Sequence, residues 1–254
     1  MPRYSTVGYS IGPGPLTQAI KTLIALNVGA FVLSLIVPAL VVRLGLMPSE
    51  VLTGFAVWQP LTYMFLHGGI GHLLFNMLAL WMFGTELERT WGTRFFLRYY
   101  FVTGIGAAVV TILWSVLPLP FAGALYRSLV IGASGSIYGL LLAYGMYYPH
   151  RTVFLYIFPV PARIAVLILG AIAFLSSMGA SGDGVAHVAH LGGLLVGYLY
   201  LKMRRGPLDE IRYRWAQWRL GRSRSRFDVY QGGRRGPGTP PGTDWTKEWK
   251  KHVH

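Results

Sequence analysis

Six apolar runs, each near the length of a membrane crossing, leave this chain little room to be a water-soluble fold. They lie at 23–42, 72–87, 95–117, 130–148, 165–178 and 185–201. A helix rises about 1.5 Å per residue, so about 20 apolar residues cover the ~30 Å hydrocarbon core of a bilayer. Composition points the same way. The chain is 53% hydrophobic and 13% charged, whereas soluble domains carry about 25% charged residues. The first run is longer than the apolar stretch of a secretory leader and has no obvious small-residue cleavage site, so it reads as a crossing. The expected fold class is an all-α membrane protein, a bundle of six transmembrane helices.

Charge sets the orientation. The connection between the second and third runs carries Arg89, Arg94 and Arg98, the one between the fourth and fifth carries Arg151 and Arg163, and Lys202, Arg204 and Arg205 follow the sixth. The first connection, 44–71, has no Lys or Arg, the third has Arg127 alone, and the fifth has Asp183. Positive residues stay on the cytoplasmic side, which predicts two cytoplasmic termini. The formal net charge of +14 is concentrated in the short tail after residue 201. It therefore reads as membrane topology rather than as a nucleic-acid footprint. The expected layout is an N-terminal segment 1–17, a membrane body 18–205 and a basic tail 206–254. Within the tail, 207–226 interleaves basic residues with Trp215, Trp218 and Leu220. It reads either as an amphipathic helix on anionic headgroups or as a solvated basic stretch. The Gly/Pro-rich run 231–243 is expected to be disordered. The chain has no cysteine, which excludes disulfides, thiolate chemistry and zinc sites built on Cys.

Polar groups inside apolar helices are costly and mark function by default. Three clusters qualify. Gly132-Ala133-Ser134-Gly135-Ser136 opens the fourth run. A lone serine at such a place can simply bond back to its own helix, but the small residues at 132, 133 and 135 leave the Ser134 hydroxyl open. Gly135 and Gly139 form a face that another helix can approach closely. In the sixth run, Gly193 and Gly197 fall on the helix face of His190, with His187 a turn earlier near the water boundary. If these two glycine faces meet, the imidazole reaches the hydroxyl as a general base reaches its nucleophile. The sequence leaves open whether they do. In the second run, His72 and Asn76 share a face at i, i+4. Such a pair either bonds neighbouring helices or donates to a developing oxyanion. A metal site on His67, His72, His187 and His190 would need acidic ligands that the spacing does not supply.

The order of these motifs, HxxxN in the second run, GxSG in the fourth and AHxxG in the sixth, resembles the rhomboid family of intramembrane proteases over roughly residues 15–205. The resemblance implies a Ser134–His190 dyad without a carboxylate, and an oxyanion hole of His72, Asn76 and the Ser134 N–H. It implies that Tyr138 stacks beside His190, and that Gly132, Gly135, Gly139, Gly193 and Gly197 serve helix packing. It also implies a half-embedded first loop, a mobile cap at 176–184, no cofactor, transmembrane proteins as substrates and a bacterial inner membrane as the location. The alternative is a non-catalytic relative that holds transmembrane clients. One departure stands out: Gln59 follows Trp58 where many members carry Arg, so the usual link to a glutamate such as Glu88 is not expected in that form.

Overall fold

The computed structural model describes residues 13–118, 122–155, 158–177 and 184–204. The expected cap at 176–184 falls mostly, and the basic tail from 206 onward wholly, outside the described residues.

Helix α1, Gln18–Ile36, begins with no cap from its own Thr17 side chain. The buried carboxylate of Glu88 supplies one from 68 residues away: it accepts from the backbone N–H groups of Ala19 at 3.2 Å and Ile20 at 3.3 Å and from the hydroxyls of Thr17 and Thr93. These are the donors a helix start leaves unpaired. The helix stops one residue before Val37, which leaves the helical region (φ −125°) ahead of Pro38. A short α2, Ala39–Leu44, follows. The expected single run 23–42 is thus a helix that starts earlier and is broken by proline.

The first loop is built rather than loose. It contains α3, Pro48–Thr53, α4, Gln59–Thr62, and a 3-10 turn at Tyr63–Phe65. Gln59 is buried and accepts from the Met47 N–H at 2.9 Å. Trp58 Nε1 donates to the Arg43 carbonyl at 3.0 Å and the Thr62 hydroxyl to the Leu44 carbonyl at 2.6 Å. Position 59 therefore ties the loop to itself, and Glu88 is engaged with α1.

The second apolar run lies in one continuous helical stretch, α5 (Ile70–Ala79), a π turn (Leu80–Gly84) and α6 (Thr85–Trp91). Gly92, at φ 78°, ends it and leads into α7, Thr93–Val116. A short α8, Ala122–Tyr126, precedes α9, Ser134–Tyr147. The fourth helix starts later than the run at 130, because Val130 is held extended by paired backbone bonds with Leu46 at 2.8 and 2.9 Å. An antiparallel hairpin, β1 (Thr152–Leu155) and β2 (Phe158–Pro161), leads into α10, Ala162–Ser177. This hairpin departs from the expected all-α class. The last helix among the described residues is α11, Gly184–Arg204, which packs against α7, α9 and α10.

The packing is that of a protein in lipid. Phe75, Leu113, Leu167 and Leu175 face outward, while Asn27, Gln59, His67, Asn76, Thr103, Thr111 and Ser136 are buried. Several buried hydroxyls bond to carbonyls of their own helix, Thr103 to Tyr99 at 2.8 Å and Thr111 to Ala107 at 2.8 Å, as a dry interior requires. Three helical stretches among the described residues are long and apolar enough to cross a membrane: Gln18–Ile36, Ile70–Trp91 and Thr93–Val116.

Candidate active site

Ser134 is the first residue of α9, and Gly132, two residues earlier, takes φ 123°. That backbone conformation suits glycine alone. Its N–H donates to the Tyr63 carbonyl at 2.9 Å, which joins the first loop to the approach to α9. A Cβ on Gly132 would sit 2.8 Å from the His72 ring and 3.8 Å from Ser134 Oγ. Gly132 thus lies in the loop before the helix, and its missing side chain leaves a space between His72 and the serine. This is a different part from the helix packing expected of it.

The glycine faces do meet. A Cβ on Gly193 would fall 2.0 Å from the Gly135 carbonyl oxygen, and one on Gly197 would fall 3.3 Å from Gly139 Cα. Backbones of α9 and α11 therefore touch at two successive levels. At that spacing His190 Nε2 lies 2.9 Å from Ser134 Oγ. Tyr138 stacks flat on the His190 ring, with centroids 4.2 Å apart and 7° between planes, and His187 meets the ring edge-on at 5.6 Å. His190 Nδ1 is buried and has no hydrogen-bond partner among the described residues. Among the described residues, ring contacts and the Ser134 hydroxyl, rather than a carboxylate, hold the imidazole.

On α5, the Gly68 N–H donates to His72 Nδ1 at 3.3 Å. With Nδ1 accepting, a neutral ring carries its proton on Nε2, the atom beside the Gly132 space. Asn76 is buried one turn below, and its amide nitrogen donates one hydrogen to the His72 carbonyl at 2.8 Å. His72, Ser134 and His190 all sit in the first two turns of their helices. His72 and Ser134 lie in first turns, where backbone N–H groups have no partner within the helix, and such a helix start suits a developing negative charge.

His67 carries a part that spacing did not reveal beyond a weak metal reading. It is 3% exposed and meets the His72 ring edge-on at 5.0 Å. Burial first, and then the neighbouring His72, push its imidazole down to about 4, so the ring is neutral. Among the described residues no three His, Cys, Asp or Glu side chains converge as a metal site would need. The signal was present in the sequence as a third histidine at i−5 from His72.

A Rhomboid domain profile matches residues 54–206, most of the membrane body and all three motifs. The chain belongs to the rhomboid family. It is 34% identical over 144 residues to Rhomboid protein 1, mitochondrial, of Saccharomyces cerevisiae, covering 54% of this chain and 38% of that protein. It is 34% identical over 141 residues to Rhomboid protease GluP of Bacillus subtilis, covering 56% of this chain and 25% of that one. With Rhomboid protease AarA of Providencia stuartii it shares 29% over 160 residues, 56% of this chain and 54% of that one. The matches thus span from a quarter to about half of these relatives. Family and outward apolar helices together make it an integral membrane protein of a family that includes proteases.

Proposed function

We propose that the chain is an intramembrane serine endopeptidase with Ser134 as nucleophile and His190 as general base. The 2.9 Å contact between Ser134 Oγ and His190 Nε2 carries this reading. His190 takes the hydroxyl proton as Oγ attacks a scissile carbonyl. The oxyanion enters the space over Gly132, where His72 Nε2–H, Asn76 and the Ser134 N–H donate to it. Each such donor commonly contributes about 3 kcal/mol to the transition state. His190 then gives its proton to the leaving amine, and water releases the acyl group by the reverse path. No step is routed through a cofactor or a metal.

The substrates in this reading are transmembrane segments of other membrane proteins, cut near the extracytoplasmic end of the bundle. The chain crosses the bilayer six times, with the first loop half-embedded and both termini cytoplasmic. Residues 1–17 precede the membrane body at 18–205, and 206–254 form a cytoplasmic tail. A bacterial inner membrane is the location that the family resemblance implies, while the yeast relative is named as mitochondrial.

A fluorophosphonate probe tests the reading, together with cleavage of a model transmembrane substrate in proteoliposomes. Labelling is expected at Ser134, and Ser134→Ala and His190→Ala each abolish both readouts. Equal cleavage by wild type and Ser134→Ala overturns it. Client binding without cleavage by either protein would instead identify a non-catalytic holder of transmembrane segments.

A further inference from the structure

The two helices that flank the β-hairpin are short. α9 has 14 residues and α10 has 16, or about 21 and 24 Å at 1.5 Å per residue, against a ~30 Å hydrocarbon core. A link between two short crossings is drawn toward the membrane rather than held out in water. The hairpin follows the end of α9 away from Ser134. Its base is closed by the Ala162 N–H on the Arg151 carbonyl at 2.8 Å and the Arg163 N–H on the Pro149 carbonyl at 3.3 Å.

Three features suit that position. Val153 is buried against the body with Val160 opposite, while Phe154 and Phe158 project with 65% and 66% of their surface exposed. The register puts the two rings on opposite faces, so this small element presents large apolar side chains on both sides. Arg151 and Arg163 stand exposed at the base, and Arg151 keeps 55% exposure while paired with Glu86 at 3.0 Å. Finally, the pairing Thr152↔Pro161 and Phe154↔Pro159 puts prolines at the β2 positions whose N–H groups would point away from β1. A two-stranded sheet leaves outward donors unpaired. At these two positions there is no donor to leave, which spares the cost of an unpaired N–H where water is scarce, as proline also blunts sheet edges in water.

We propose that this hairpin is a membrane-surface anchor for the start of α10. Phe154 and Phe158 enter the boundary between headgroups and acyl chains of an anionic leaflet, and Arg151 and Arg163 meet lipid phosphates. The anchor rests on α9 and α10 both crossing the bilayer, as proposed above.

The chain has no cysteine, so single probes can be placed without further engineering. Phe154→Cys, Phe158→Cys and, as a reference on α10, Leu175→Cys are labelled with an NBD fluorophore in vesicles of phosphatidylcholine with phosphatidylglycerol. The expected result at 154 and 158 is blue-shifted emission, quenching by lipids bearing a nitroxide near the headgroup, and protection from aqueous iodide. Arg163→Glu in the Phe158→Cys background is expected to reduce the lipid quenching, and omitting phosphatidylglycerol to reduce it likewise. Iodide quenching without nitroxide quenching at 154 and 158, while position 175 is lipid-quenched, overturns the anchor and leaves the crossing of α10 intact. If 175 is also quenched only by iodide, the six-crossing arrangement fails together with the anchor.

Discussion

Gly193 of α11 lies against Gly135 of α9 so closely that a methyl group on Gly193 would fall 2.0 Å from the Gly135 carbonyl oxygen. The obstacle is backbone, not the end of a flexible side chain, so only a shift of the helices can relieve it. Gly193→Ala is therefore expected to push α11 outward and open the Ser134–His190 contact. A displacement near 1 Å commonly costs about 100-fold in rate, and overpacking costs about 1–3 kcal/mol of stability. Cleavage kinetics and thermal unfolding in detergent measure both. Wild-type kcat in Gly193→Ala would show that the glycine contact does not set the dyad.

Gly132→Ala tests the space beside the serine rather than the helix contact. The new side chain would meet the His72 ring at 2.8 Å, on a backbone with φ 123°. Strain of this kind costs on the order of 1–3 kcal/mol. Because the lost space is the proposed oxyanion site, kcat is expected to fall by more than KM rises. A change confined to KM would move the oxyanion elsewhere.

Much of this arrangement was legible because it is periodic. Glycines at i+3 and i+7 from His190, and His72 with Asn76 at i, i+4, mark helix faces before any fold is known. What periodicity cannot carry is contact between distant segments. Glu88 reads as a charge at the end of a crossing, yet it caps α1 at Ala19 and Ile20. Leu46 and Val130 read as apolar residues near crossings, yet they pair as extended backbone and delay the start of α9. Pro38 was visible, but an unbroken apolar run hides a helix break, because lipid-facing residues on either side look alike. Gly132 passed as a packing glycine because its use depends on a positive φ, which leaves no trace in spacing.

Glu88→Gln isolates the cap on α1. The carboxylate accepts from two backbone N–H groups and two threonine hydroxyls, Thr93 at 2.6 Å. An amide keeps one acceptor oxygen and sets a nitrogen donor against groups that also donate. A loss of about 2 kcal/mol is expected, the scale of bonds to a charged acceptor. It should appear as a lower unfolding temperature. Fluorophosphonate labelling of Ser134 should persist below that temperature, since α1 contributes no group to the site. Loss of labelling without loss of stability would instead tie Glu88 to the chemistry.

His67 gives the protein an acid-sensitive point beside His72. Its folded value of about 4 lies below the ordinary histidine value of 6.5. Between these two values the unfolded chain binds the proton and the folded chain does not. The stabilisation from a neutral His67 is therefore present in full above pH 6.5, and it is lost as pH falls from there toward 4. His67→Gln cannot titrate in that window, so its unfolding temperature is expected to fall less between pH 7 and pH 5 than that of wild type. In the folded enzyme the ring stays neutral until the pH nears 4, so the catalytic rates of wild type and His67→Gln are expected to change alike between pH 7 and pH 5. Parallel stability profiles for wild type and variant over that range would remove His67 from the acid response.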